Sequence, residues 1–234
     1  MNTTKRLDYT IIGIALAVFL LLQIPYLGTF QYPFRLLGTW FHEMGHGLTA
    51  LCIGGDFKFL EIYENGGGVA YNSITNRFLS LSTGKALVAM GGLLGPAITG
   101  AVFIASAKYQ KTAAILLRVL IGMIVLSLVL WVRSFWGILV MGVFAVILII
   151  ITLIKNRKIE VVTILFLGLQ AVLSTYLQLD YLFTKQFERN GAIRISDTQS
   201  IAENTFGTYW IWGLFIILIS AFIVWKSIRF YFKR

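Results

Sequence analysis

The chain has one cysteine, two histidines and three prolines among 234 residues, and only 13% of it is charged. The single cysteine, Cys52, excludes an internal disulfide and a cysteine-rich zinc site. A soluble domain is about a quarter charged. This shortage of charge, with 58% hydrophobic residues and a mean hydropathy of +0.81, excludes an ordinary soluble protein and implies a polytopic membrane protein. Acids are scarcer than bases, 10 against 20, leaving a net charge of +10. The bases stand in short clusters between apolar runs, a pattern that suits the anionic headgroups of a lipid bilayer and not nucleic acid.

Both histidines fall in one stretch, Thr39-Trp40-Phe41-His42-Glu43-Met44-Gly45-His46-Gly47-Leu48. On a helix, positions i and i+4 lie about 40° apart in projection, one turn up the same face. Two imidazoles therefore reach one metal ion from one rigid element, and Glu43 beside them can take a proton from the attacking water. Histidine nitrogen suits zinc, and a catalytic zinc wants three protein ligands and one open position. The motif thus predicts a third ligand elsewhere. Ionisable side chains are costly in an apolar segment such as Pro33 to Ile53 and are usually functional there, so packing is a poor explanation for these three. Cys52, about 240° further round the helix than His46, faces away from the metal and reads as a small buried residue.

The hydropathy pattern predicts an all-α polytopic membrane protein with six or seven transmembrane helices, at about 9–27, 33–53, 84–107, 112–132, 134–154, 160–180 and 206–225. No repeat or second domain interrupts it, so residues 1–234 read as a single integral-membrane domain. Gly54-Gly55 should end the second span. Residues 56–72 then alternate around Asn65-Gly66-Gly67-Gly68, which predicts a β-hairpin, with a bulge where the alternation slips between Phe59 and Leu60. Such a hairpin is either a connection or an edge to which an extended peptide adds as a strand. Gly91-Gly92-Leu93-Leu94-Gly95-Pro96 in the third span permits close helix approach and a kink, with packing alone and a direct role at the site both open. Arg118 reads as a snorkelling residue near the end of the fourth span. Trp210, Trp212 and Trp225 of the last span occupy interfacial positions.

Two aspartates compete for the third ligand. Asp180 ends the sixth span, which runs toward the same side as the second and meets the motif if tilted or extended. Asp197 lies in a polar stretch on that side. Ser196-Asp197-Thr198-Gln199, however, reads as a capping box opening a short helix with Ile201 and Phe206 on one side, which gives Asp197 a structural explanation. Asp180 is the expected ligand.

His42-Glu43-Met44-Gly45-His46 on an apolar span, the glycine-rich hairpin after it, and Gly95-Pro96 in the next span resemble the site-2 protease family of intramembrane zinc metallopeptidases. They are most similar to its compact bacterial peptidase M50B-like branch, which lacks a PDZ insertion. The core of the match runs from about Phe34 to Ala101, and Ser196 to Trp212 resembles that branch less specifically. The family takes its third ligand from a Leu-Asp-Gly motif on a later helix, which Leu179-Asp180 matches in its first two residues, with Tyr181 in place of the glycine. The resemblance implies a multi-pass protein of the bacterial inner membrane, Zn2+ held by His42, His46 and Asp180, and Glu43 as general base. Its substrate would be a membrane protein or peptide, locally unwound and resting on the hairpin, because an intact helix hides its carbonyls.

Other classes fit parts of the pattern. They are a non-proteolytic zinc-binding membrane scaffold, a transporter, and a zinc hydrolase of a non-protein substrate. A transporter predicts inverted repeats, and a scaffold has no need of Glu43. Orientation is not fixed by charge, because with seven spans the basic residues other than Arg118 divide nine against ten. The resemblance implies a cytoplasmic N-terminus and hairpin with the basic C-terminus outside.

Overall fold

The computed structural model describes residues 9–24, 26, 28–75, 79–176, 179–189 and 192–233. Of the basic residues counted for orientation, Lys5, Arg6, Arg77 and Arg234 lie outside the described residues, as do residues 177 and 178 of the expected sixth span. Among the described residues seven helices make the bundle: α1 (Tyr9–Leu22), α2 (Gly28–Cys52), α3 (Leu81–Ser106), α4 (Gln110–Leu130), α5 (Phe135–Leu153), α6 (Arg157–Tyr176) and α9 (Tyr209–Phe232). Two short helices, α7 (Leu179–Leu182) and α8 (Asp197–Asn204), lie between α6 and α9. Among the described residues five helices, α3 to α6 and α9, are long and apolar enough to cross a membrane. The apolar α1 is shorter, and α2 has the length but is diluted by its polar motif. The chain is an integral multi-pass membrane protein.

Among the described residues two hairpins accompany the helices. β1 (Asp56–Ile62) and β2 (Gly68–Ser73) pair antiparallel directly after α2, where the sequence predicts them. The register shift falls between Phe57 and Phe59, slightly before the expected position. Gly54 ends α2 with a left-handed φ of 79°, a conformation cheap only for glycine. The outer edge of β1 is occupied, since Leu60 donates to the Trp131 carbonyl at 2.8 Å and accepts from Arg133 at 3.0 Å. The second hairpin, β3 (Gln186–Arg189) with β4 (Ala192–Ile195), was not anticipated from the polar stretch that contains it.

The first hairpin folds back along α2. Tyr32, Arg35 and Thr39, spaced three and four residues apart on one face of α2, donate to the carbonyls of Glu64, Asn65 and Gly66 at 2.7, 3.0 and 2.6 Å. Three polar side chains of α2 thereby satisfy the carbonyls of the hairpin tip.

Close packing of α2 on α3 resolves the glycine run. A Cβ at Gly45 would overlap the Gly91 carbonyl, and one at Gly95 would lie 2.9 Å from the Phe41 carbonyl. Glycines at 45, 91 and 95 therefore let the two backbones touch. Despite Pro96, α3 is one continuous helix.

The main core joins Leu36, Leu37 and Trp40 of α2 to Leu117 and Ile124 of α4, Met141 of α5, and Ile164 and Leu167 of α6. A second cluster joins Ala86, Ala89 and Leu93 of α3 to Leu182, Ile201, Trp212 and Ile216, which seats α8 on α3 and α9. Trp212 is thus a core residue, while Trp210 and Trp225 are exposed on the bundle surface. Phe206 is also exposed and lies beyond the end of α8, so only Ile201 packs as expected. Cys52 is exposed at the end of α2, not buried, because the helix stops there and no other element covers it.

Candidate metal centre

His42 and His46 are buried on the α3-facing side of α2, with ring centroids 4.6 Å apart. The Nδ1–H of His46 donates to the Val88 carbonyl at 2.8 Å, because a carbonyl can only accept. That bond fixes the tautomer and leaves the Nε2 lone pair of a neutral ring facing His42. Gly92 makes room for the same ring, since a Cβ at residue 92 would overlap the imidazole. The glycine run therefore both packs the helices and shapes the site.

The carboxylate that joins the histidines belongs to Asp197. His42 Nε2 lies 3.1 Å from Asp197 Oδ2, His46 Nε2 lies 3.4 Å from it, and the two Nε2 atoms are 3.0 Å apart. Ligand bonds of about 2.0–2.1 Å in a tetrahedral zinc site put donors about 3.3 Å from one another. The triangle fits that size, and its nitrogen and oxygen donors suit zinc. Among the described residues it is the only group of three such side chains close enough to share an ion.

Asp180 is not brought to the histidines. It is exposed on α7, where its backbone carbonyl accepts from Thr184 Oγ1 at 2.6 Å. Successive residues of a helix point about 100° apart, so the neighbour that turns into the site is Tyr181. Its phenol donates to Asp197 Oδ2 at 3.0 Å and accepts from the Asp197 backbone N–H at 3.2 Å. Burial, then the Asp197 charge, push the Tyr181 phenol well above its ordinary value, so it remains a donor. Burial alone would raise the Asp197 carboxyl, but the facing imidazoles, His46 foremost, hold it below the usual carboxylate range whenever they carry a proton on both nitrogens.

The capping box explains the exchange. Ser196, not Asp197, caps α8, its hydroxyl accepting from the Gln199 N–H at 3.2 Å. With capping supplied by its neighbour, the carboxylate of Asp197 is left for the histidines. The β3–β4 hairpin supplies the approach: Gln186 pairs with Ile195, and Ser196 donates to the Lys185 carbonyl at 3.1 Å, returning the chain to α7.

Glu43 is buried beside β2. A Cβ at Gly68 would lie 2.8 Å from Glu43 Oε1, so glycine there keeps strand backbone against the carboxylate. The triangle, Glu43, Tyr181 and residues 66–70 line one cavity of about 690 Å³. It also takes in Gln31 and Gln170, whose side-chain amides bond each other at 3.1 and 3.3 Å between α2 and α6.

The family model described as Peptidase M50B-like matches residues 11–227. No curated protein matches this chain. No solved structure matches it either.

Proposed function

The chain belongs to the Peptidase M50B-like family, and from that premise we propose that it is an intramembrane zinc metalloprotease which hydrolyses a peptide bond in or near the bilayer. One observation carries the reading: the His42–His46–Asp197 triangle lies in the same cavity as Glu43 and strand β2. His42, His46 and Asp197 would hold Zn2+, with Asp197 in the place expected of Asp180. When bound, zinc supplies Lewis acidity, bringing the pKa of a water it holds toward about 7 and polarising the substrate carbonyl.

The protein's own groups do the rest. Glu43 accepts the proton of the attacking water and delivers it to the amide nitrogen as the bond breaks. Val88, through its carbonyl, keeps the His46 proton on Nδ1, and Tyr181 orients the Asp197 carboxylate. The outer edge of β2 carries no strand among the described residues, and Gly68, Val69, Ala70 and Asn72 of β2 line the cavity. An unwound segment of a membrane protein would add there as an extended strand, its backbone groups satisfied by β2 and its scissile carbonyl presented to the water that Glu43 deprotonates. A scaffold gives no reason for a buried carboxylate at residue 43. We further propose that the membrane is the bacterial inner membrane, as the sequence resemblance implies.

The test compares new peptide termini in membranes carrying wild-type protein or Glu43→Gln. Wild type should yield termini mapping in or beside transmembrane segments of other proteins that the variant lacks. Identical profiles would reject proteolysis.

A further inference from the structure

At the end of the bundle away from the β1–β2 hairpin, the helix ends and turns are almost free of acid. Residues 106–111, 153–158 and 226–233 hold eight lysines and arginines and no aspartate or glutamate. Lys108 ties the first of these segments to the last by donating to the Phe230 carbonyl of α9 at 3.0 Å. The nearest acid is Glu160, in the first turn of α6, and its side chain is completely buried.

Glu160 is fully used. One oxygen accepts from Arg118 Nη2 of α4 at 3.0 Å and the other from Arg157 Nη1 at 2.7 Å. Arg118 is therefore an anchored residue and not a freely snorkelling one. Each arginine side chain remains about half exposed, at 48% and 52%. The buried carboxylate holds two guanidinium groups in fixed positions while leaving donors of both turned outward. Lys155, in a left-handed turn with a φ of 56°, completes the group, and its ammonium joins no ion pair among the described residues.

Arg118, Lys155 and Arg157 line a cavity of about 420 Å³ with Thr152 and Leu153. Glu160 is the one negative charge against these three cations, which leaves a surplus of two. Leu153 lines the cavity and is 68% exposed, and Val119 and Ile154, the chain neighbours of Arg118 and Lys155, are 52% and 55% exposed. Cations fixed in a cavity with greasy side chains beside them match a phosphate that carries acyl chains, and free phosphate has no use for those side chains. We propose that this cavity binds the headgroup phosphate of an anionic phospholipid, whose acyl chains lie over the exposed faces of α4 and α5.

The test is native mass spectrometry of the full chain in detergent, titrated with phosphatidylglycerol, phosphatidylcholine or inorganic phosphate. Phosphatidylglycerol should bind and phosphatidylcholine should bind more weakly. The double variant Lys155→Gln, Arg157→Gln should weaken phosphatidylglycerol binding about thirtyfold, at about fivefold per cation removed. Lys226→Gln with Arg229→Gln, an equal charge change at the same end, should not. If the pocket variant fails to fold, Lys155→Gln alone should still show the single-cation loss. Unchanged affinity in the pocket variants, or equal loss in the control, overturns the site. Inorganic phosphate displacing the lipid at matching concentration also overturns the lipid assignment.

Discussion

The imidazole of His46 occupies the space in which a side chain at residue 92 would lie, so a ligand on α2 is shaped by the absence of an atom on α3. Gly92→Ala should therefore push the ring from the triangle and lower zinc occupancy. Gly142 on α5 has open space around its Cβ position. There, alanine should keep zinc and stabilise the helix by about 0.5–1 kcal/mol. Metal analysis and thermal unfolding of the two variants compare these outcomes, and equal zinc content would show that the ring has room to move.

Glu43→Gln keeps the ligands and removes the base. Zinc content should stay near that of wild type while turnover falls by about 100-fold or more. A variant that still cleaves would remove Glu43 from the chemistry.

Tyr181, the chain neighbour of Asp180, donates through its phenol to Asp197 Oδ2. Tyr181→Phe retains the ring that packs edge-on against His42, with centroids 6.3 Å apart, and removes only the donor. Zinc affinity, measured by chelator competition, should fall about 10- to 100-fold with the fold intact. An unchanged affinity would mean that α8 alone orients the carboxylate.

Orientation is open to labelling at the base of the first hairpin, because its tip is pinned along α2 by Arg35 and its neighbours. In a Cys52→Ser background, needed because Cys52 is exposed, a Lys58→Cys variant should resist an impermeant thiol reagent in intact cells and react after permeabilisation. Lys233→Cys should react in intact cells. The reverse pattern would place the hairpin outside.

Much of this arrangement was legible in the sequence because it depends on local spacing. Two histidines four apart share a helix face, Gly54 stops α2, and the alternation of 56–72 makes a hairpin. The third ligand was not, because it depends on a return of the chain that only tertiary structure supplies. The β3–β4 pairing carries Ser196 back to Lys185 and so drops Asp197 beside Tyr181. Capping explained Asp197 away in the sequence, but a cap needs one side chain, and Ser196 provides it. Glu160 was likewise invisible as a partner of Arg118, since the two are 42 residues apart on different helices.

The centre itself is tested most directly by counting zinc per chain in purified wild-type, Asp197→Ala and Asp180→Ala proteins. Asp197→Ala should lose most of the metal while α8 keeps its Ser196 cap, and Asp180→Ala should bind zinc as wild type does. Zinc retained without Asp197 and lost without Asp180 would contradict the assignment.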